Sequence, residues 1–191
     1  MTTSNIFRTL VFSTAIALGT TLAASAQDNN TDNHQITVSI PNVALLDLET
    51  GGTRNFTASF VQPTPLEAGQ KLSAPEDNSD LWLNYSSILP NSGVTSRKVN
   101  VKVSALIPGV TMKVLAKASA TGFGTLGKPT SLVTLSTADQ PIIEGIGSAY
   151  TETGAAKGHN LVYSFVAEDA NYANLRANNT TVTVTYTLSD N

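Results

Sequence analysis

The side chains that could carry acid–base chemistry are few in this chain of 191 residues. Two histidines occur, His34 and His159, and there is no cysteine. A hydrolase triad needs a nucleophile, a histidine base and an orienting acid. His34 lies in a polar stretch, and His159 stands between Gly158 and Asn160, where we expect a structural hydrogen bond. The sequence therefore predicts no catalytic residue and no enzymatic activity.

Candidate metal and cofactor motifs are weak. Residues 76–80 group three acids, and carboxylate oxygens suit calcium, but the glycine and the distal glutamate of an EF-hand loop are missing. The absence of cysteine removes thiolate zinc sites. Residues 122–127 superficially match a dinucleotide fingerprint but do not open a helix within a βαβ unit. We expect a solvated acidic loop, no metal site and no cofactor.

Aromatic side chains offer one route to ligand binding. Trp82 and Tyr85 are three positions apart in a short apolar run, which places them on opposite faces of a strand. An exposed aromatic ring beside Asn, Asp or Gln side chains is typical of carbohydrate binding. A tryptophan buried between two sheets is the competing interpretation. Trp82 and Tyr85 are the candidate ligand-facing aromatics.

The first 26 residues have the pattern of a targeting segment. Leu10–Leu22 is apolar but too short to span a bilayer, and Ala24-Ser25-Ala26 supplies the small residues that signal peptidase requires. We interpret residues 1–26 as a cleaved signal peptide and residues 27–35 as a flexible polar leader. Export would carry the chain through the periplasm to the cell surface or the exterior. No second long apolar segment follows, so we expect no membrane span in the mature protein.

Composition narrows the partners. Charged residues make up 13% of the chain, and its net charge is -3. Mild acidity without a basic stripe makes nucleic acid an unsuitable partner.

The remaining chain, residues 36–191, alternates repeatedly between apolar and polar residues, with Gly, Pro and Asn turns between the runs. This pattern predicts an all-β fold, a single antiparallel sandwich of about eight to ten strands. Residues 98–104 and 110–118, joined through Pro108-Gly109, are predicted to pair with each other. Residues 167–175 are predicted to form one or two helical turns. The main alternating runs are residues 36–40, 56–60, 81–85, 98–104, 110–118, 161–167 and 180–188.

The N-terminal run suggests a way to associate. A flexible leader precedes an alternating apolar strand, and such a strand can swap into the open edge of a neighbouring subunit. The competing interpretation makes residues 36–48 simply the first strand of a closed domain. The candidate donor-strand residues are Ile36, Val38, Ile40, Val43 and Leu45.

Several segments carry a resemblance: HQITVSIPNVALLDLE, LWLNYSS, IGSAYTETGAAKGHNLVYSF and the terminal VTVTYTLSDN. They resemble small exported bacterial β-sandwich proteins of unassigned function, and the ending is similar to fimbrial, spore-coat-type pilin subunits. The resemblance implies an Ig-like or pilin-like sandwich in a surface fibre or adhesin, with self-association or other surface subunits as partners. Chaperone-assembled pilins often carry a disulfide, which this chain lacks. The alternative function is a monomeric secreted module that binds polysaccharide or another surface ligand.

Overall fold

The computed structural model of the protein describes residues 30–191. The chain divides into two units, residues 1–38 and residues 39–191. The predicted signal peptide and the first residues of the predicted leader lie outside the described residues. In the first unit, residues 30–38 form no helix or strand and are exposed.

The regular secondary structure of the second unit is almost entirely β-strand, with one short 3₁₀ helix at Asp169–Asn174. This helix confirms the prediction of one or two turns in residues 167–175. The eleven strands of the second unit are β1 (Val43–Thr50), β2 (Asn78–Ile88), β3 (Arg97–Val103), β4 (Thr111–Ala116), β5 (Phe123–Gly124), β6 (Lys128–Pro129), β7 (Val133–Thr134), β8 (Gln140–Ile146), β9 (Ala149–Tyr150), β10 (His159–Val166) and β11 (Val184–Asp190).

The larger sheet is built around β2. Strand β1 pairs antiparallel with residues 81–88 of β2. Strand β10 pairs with residues 78–83 of β2, and β9 pairs with residues 86 and 87. Because these registers overlap that of β1, β9 and β10 must lie on the opposite side of β2. Strand β5 pairs with β9, β4 pairs with β10, and β7 pairs with β4. Strand β1 is therefore an edge strand of this sheet.

The smaller sheet has the order β11-β3-β8-β6, with β11 at one edge. All its pairs are antiparallel. The predicted pairing of residues 98–104 with residues 110–118 is wrong, because β3 lies in this sheet and β4 lies in the other. Alternation makes one face of each strand apolar, but it does not say whether two such faces stand side by side or opposite each other.

The core lies between the two sheets, as expected for an antiparallel sandwich. Alternate side chains of β3 and β4 are buried in it. The other strands contribute Leu81, Leu83 and Tyr85 of β2, Ile142, Ile143 and Ile146 of β8, and Leu161 and Tyr163 of β10. The β3 side chains Val99, Val101 and Val103 are at most 2% exposed. The alternating pattern therefore identified the core-facing side of these strands correctly.

Two predicted strands are absent. Residues 36–40 and residues 56–60 form no strand. In the second segment the alternation still holds, because Phe56, Ala58 and Phe60 are half-buried while the residues between them are exposed. The Phe56 ring lies edge-on against Tyr163, with 5.4 Å between ring centroids. Apolar alternation thus directed side chains to the core without a backbone partner to complete a ladder.

Candidate functional site

The segment before β1 exposes a row of apolar side chains. Ile36, Val38 and Ile40 are 76%, 78% and 74% exposed. Burying a side chain of this kind is worth about 1.5–3 kcal/mol relative to leaving it in water. Three such side chains at alternate positions are what an added β-strand requires to fill pockets on one face.

Strand β1 offers backbone groups along an open edge. Among the described residues its only strand partner is β2. Leu46 and Leu48 point towards the core, opposite Tyr85 and Leu83, but they are only half-buried. An edge strand presents unpaired N–H and C=O groups to any further strand that approaches.

The edge strand of the smaller sheet, β11, approaches β1. Its inward side chains Val184, Tyr186 and Leu188 are also only half-buried, in contrast to those of the neighbouring β3. The core is therefore less completely covered where the two edge strands meet. We call the surface formed by β1 and β11 the open flank.

Arg97 fastens the two sheets together at one end of the open flank. Its side chain is 2% exposed, and it begins β3 on the same inward face as Val99. The guanidinium donates hydrogen bonds to five oxygen atoms from three strands and the residue before β1. They are Asp190 Oδ1, Asn42 Oδ1, Ser87 Oγ and the carbonyl oxygens of Val43 and Ile88.

This set of contacts fixes the start of β1. The Arg97 Nη2–Asn42 Oδ1 distance is 2.7 Å, and Nη1 binds the carbonyl oxygen of Val43. A buried arginine needs a carboxylate and further acceptors to offset the loss of hydration. Asp190 supplies the carboxylate at 2.7 Å from Nε. Strand β1 is thus held in its own domain, and the chain that precedes Asn42 is anchored at its C-terminal end.

The predicted donor-strand residues divide into two groups. Ile36, Val38 and Ile40 are exposed and outside any strand. Val43 and Leu45 lie in β1 and pair with Ile88 and Ser86 of the same chain. In this structure these two residues therefore belong to the folded domain, and their assignment to a donor strand stays a prediction.

The two predicted ligand-facing aromatics also separate. Tyr85 lies in the core, and its hydroxyl is 3.1 Å from His159 Nε2. The Tyr85 side chain therefore offers almost no exposed surface to a ligand. Trp82 lies on the outer face of β2 and is half-buried. The prediction that the two rings occupy opposite faces is confirmed, and the ring that fills the core is Tyr85.

His159 has a structural role. The ring is fully buried and stacks against Tyr85, with 5.6 Å between ring centroids. Nδ1 lies 2.8 Å from the carbonyl oxygen of Lys117 and must donate to it. In the neutral ring Nε2 therefore accepts from the Tyr85 hydroxyl. Burial lowers the pKa of His159, although the hydrogen bond to Lys117 opposes that change. The predicted structural hydrogen bond is confirmed.

The other sequence candidates are dispersed. His34 is exposed in the first unit, and Glu76, Asp77 and Asp80 are exposed around the start of β2. Within residues 30–191 no group of three or more His, Cys, Asp or Glu residues could hold a metal ion. In the same part of the chain no helix has the length and apolar character needed to cross a membrane.

Sequence reasoning missed Arg97, although a signal was present. Residues 97, 99, 101 and 103 alternate on one face, and three of them are valines. An arginine in phase with a buried valine series indicates a buried cation, which requires acceptors from neighbouring strands.

Comparison of the chain with protein-family models, with curated proteins and with solved structures finds no match.

Proposed function

We propose that the protein is a non-enzymatic, self-associating structural subunit of a cell-surface or extracellular assembly. Residues 35–40 of one copy add as a strand to the open flank of another. The observation that carries this proposal is the exposure of Ile36, Val38 and Ile40 immediately before an edge strand.

The two surfaces complement each other. The donor segment has apolar side chains without a partner, and the open flank has half-buried apolar side chains such as Leu46 and Leu188 beside strand edges. An added strand would pair with the free backbone N–H and C=O groups of the edge strand and would also cover these side chains. Asp47 and Glu49 stand on the outer face of β1, where charges disfavour indiscriminate pairing with other edges.

Magnitudes indicate how strong the association is. Burial of the three donor side chains contributes about 5–9 kcal/mol at most. Ordering the backbone of six residues costs about 6–12 kcal/mol. New main-chain hydrogen bonds, each worth about 1 kcal/mol, must supply the difference. Because these contributions nearly cancel, we expect weak, reversible association that is lost on dilution, not an irreversible fibre from this contact alone.

Light scattering and analytical ultracentrifugation over a concentration series test the proposal. The wild-type protein should form oligomers that dissociate on dilution. The triple variant Ile36→Ser, Val38→Ser, Ile40→Ser should remain monomeric with unchanged thermal unfolding. The matched control replaces three exposed apolar residues elsewhere, Val61, Leu66 and Leu106, with serine, and should associate like the wild type.

A peptide competitor separates strand donation from general stickiness. A synthetic peptide of residues 34–41 should reduce the mean oligomer size, and the same peptide with serine at positions 36, 38 and 40 should not. A wild-type protein that stays monomeric at every concentration, or a triple variant that associates as strongly as the wild type, would refute the proposal.

A further inference from the structure

Four side chains form a line across the outer face of the larger sheet. Leu45 of β1 pairs with Ser86 of β2, Ser86 pairs with Tyr150 of β9, and Tyr150 pairs with Phe123 of β5. Directly paired residues point to the same face of a sheet, so all four project together. Neighbouring strands are about 4.8 Å apart, so the line extends for about 14 Å. We call it the aromatic row.

The apolar members of the aromatic row are open to solvent. Phe123 is 69% exposed, Leu45 is 65% exposed and Tyr150 is 48% exposed. The rings of Phe123 and Tyr150 have centroids 6.1 Å apart and planes inclined by 44°. Together they form a shallow aromatic platform at one end of the row.

Two glycines allow close approach of the backbones beneath that platform. A Cβ at Gly122 would lie 2.1 Å from the carbonyl oxygen of Tyr150, and one at Gly124 would lie 2.3 Å from that of Ser148. Glycine at both positions therefore allows the backbone of β5 to press against β9. Phe123 stands between them on a short paired segment. The backbone that carries the two rings is therefore closely packed.

A polar pocket adjoins the other end of the row. It has a volume of about 180 Å³ and shares Leu45 and Ser86 with the row. Small-molecule sites usually exceed about 300 Å³. The pocket therefore suits one protruding group of an extended ligand rather than an enclosed molecule. Its polar lining includes Asp47, Glu49, Asn84, Glu152 and Thr153.

The charge of this pocket restricts the ligand. Asp47 and Glu152 pair with Arg54 and Lys157, while no ion pair within residues 30–191 involves Glu49. The three carboxylates of Asp47, Glu49 and Glu152 outnumber the two cations of Arg54 and Lys157, so the net charge around the pocket is negative. Such a rim repels acidic polymers and anionic membrane surfaces and favours uncharged or cationic groups.

We infer that the aromatic row binds an uncharged or amine-bearing polysaccharide. The C–H face of one sugar ring packs against Phe123 and Tyr150, which together offer exposed aromatic area. The neighbouring sugar places hydroxyl or ammonium groups at the polar pocket, where carboxylates accept their hydrogen bonds. A protein partner is less suitable, because a stable interface covers about 800 Å² on each side and the row is narrow and interrupted by Ser86.

Calorimetric titration of the full protein tests the inference with four hexasaccharides. They are the hexamers of glucosamine, of N-acetylglucosamine, of β-1,4-linked glucose and of guluronate. We expect binding of at least one of the first three and none of the acidic guluronate. Phe123→Ala and Tyr150→Ala should each weaken binding at least tenfold. Phe123→Leu should weaken binding as much as Phe123→Ala, because leucine lacks the aromatic ring. Leu132→Ala, an exposed apolar residue outside the row, should bind like the wild type.

The remaining outcomes are decisive in the other direction. Absence of binding to all four oligosaccharides, or binding unaffected by both alanine variants, overturns the inference. Loss of oligomers in Phe123→Ala without any glycan binding would identify the row as a contact between copies, which also overturns it. Circular dichroism of each variant verifies folding, and Glu49→Gln should weaken only the glucosamine complex.

Discussion

Arg97 and Asp190 are direct partners in the ladder between β3 and β11, and their side chains form an ion pair across it. The pair is asymmetric, because the guanidinium is buried while the Asp190 carboxylate is 55% exposed. The carboxylate can therefore be hydrated without the arginine, whereas the arginine depends on its five oxygen partners. Loss of Arg97 should therefore destabilise this end of the open flank more than loss of Asp190.

Replacing Arg97 should loosen β1 more than the rest of the domain. Arg97→Met keeps an unbranched apolar stem but leaves Ser87 Oγ and the Val43 and Ile88 carbonyl oxygens without this donor. Each lost partner of a buried acceptor costs about 1–3 kcal/mol, and part of this is recovered through packing and water. We expect a net loss of about 2–4 kcal/mol in the free energy of unfolding, measured by denaturant titration.

Hydrogen exchange distinguishes a local effect from a global one. In Arg97→Met the amides of β1 should exchange faster relative to those of β10. Lys102→Met is the matched control, because Lys102 forms an exposed ion pair with Asp139 and such pairs contribute less than about 1 kcal/mol. Equal destabilisation by the two variants would contradict the special role of Arg97.

Acid should destabilise the domain partly through His159. Burial holds the pKa of this ring below its ordinary value of 6.5, so the unfolded chain binds a proton more readily than the folded chain. The contribution of the neutral ring is fully present above pH 6.5 and is lost as the pH falls towards the folded pKa. One proton changes the free energy of unfolding by at most about 1.4 kcal/mol per pH unit.

The two histidines provide their own comparison. Unfolding of His159→Gln should depend less on pH between about pH 7 and about pH 5 than unfolding of the wild type. His34→Gln, at an exposed position in the first unit, should retain the wild-type dependence. A His159 variant with an unchanged pH profile would show that this ring does not contribute to acid sensitivity.

Alkali should destabilise the domain through a pair of tyrosines. The hydroxyls of Tyr163 and Tyr186 are hydrogen-bonded to each other. Burial raises the pKa of Tyr163 to about 12 despite its hydrogen bond with Tyr186, and burial together with Tyr163 raises the pKa of Tyr186 as well. Their contribution to stability is therefore present below about pH 10 and lost as the pH rises through the folded pKa values.

Tyr186→Phe tests this pair. At neutral pH we expect the free energy of unfolding to fall by about 1 kcal/mol, because a hydrogen bond is missing. Between about pH 9 and about pH 11 the variant should then lose less stability than the wild type does. Denaturant titration at each pH measures both quantities. Tyr150→Phe, at an exposed position, should match the wild type at neutral pH. An alkaline loss in Tyr186→Phe equal to that of the wild type would disprove the assignment.

Gly158 should not tolerate a side chain. Its φ is +62°, and an added Cβ would lie 2.3 Å from the carbonyl oxygen of Leu83. Gly158→Ala combines a left-handed backbone with this clash, and we expect a loss of about 2 kcal/mol or more in thermal unfolding experiments. Gly52→Ala has open space around the added group and should stay within about 0.5 kcal/mol of the wild type.

The sequence by itself determined the β class, the core-facing side of most strands and the structural role of His159. These properties follow from local chemistry: alternation assigns side chains to two faces whatever the strand order, and a histidine between Gly158 and Asn160 at a strand start has few other uses. The exposed alternating segment at Ile36, Val38 and Ile40 was also visible as a pattern.

Only the tertiary structure decided which strands are neighbours. It placed β3 and β4 in different sheets, left residues 36–40 unpaired and aligned Phe123 with Tyr150, although 27 positions separate them in the chain. It also showed that three of the five acceptors of Arg97, on Asn42, Val43 and Asp190, come from distant positions in the chain. The physical reason is that backbone pairing in a sheet is non-local: the same alternating pattern satisfies many strand orders, and the packing of the whole core selects one.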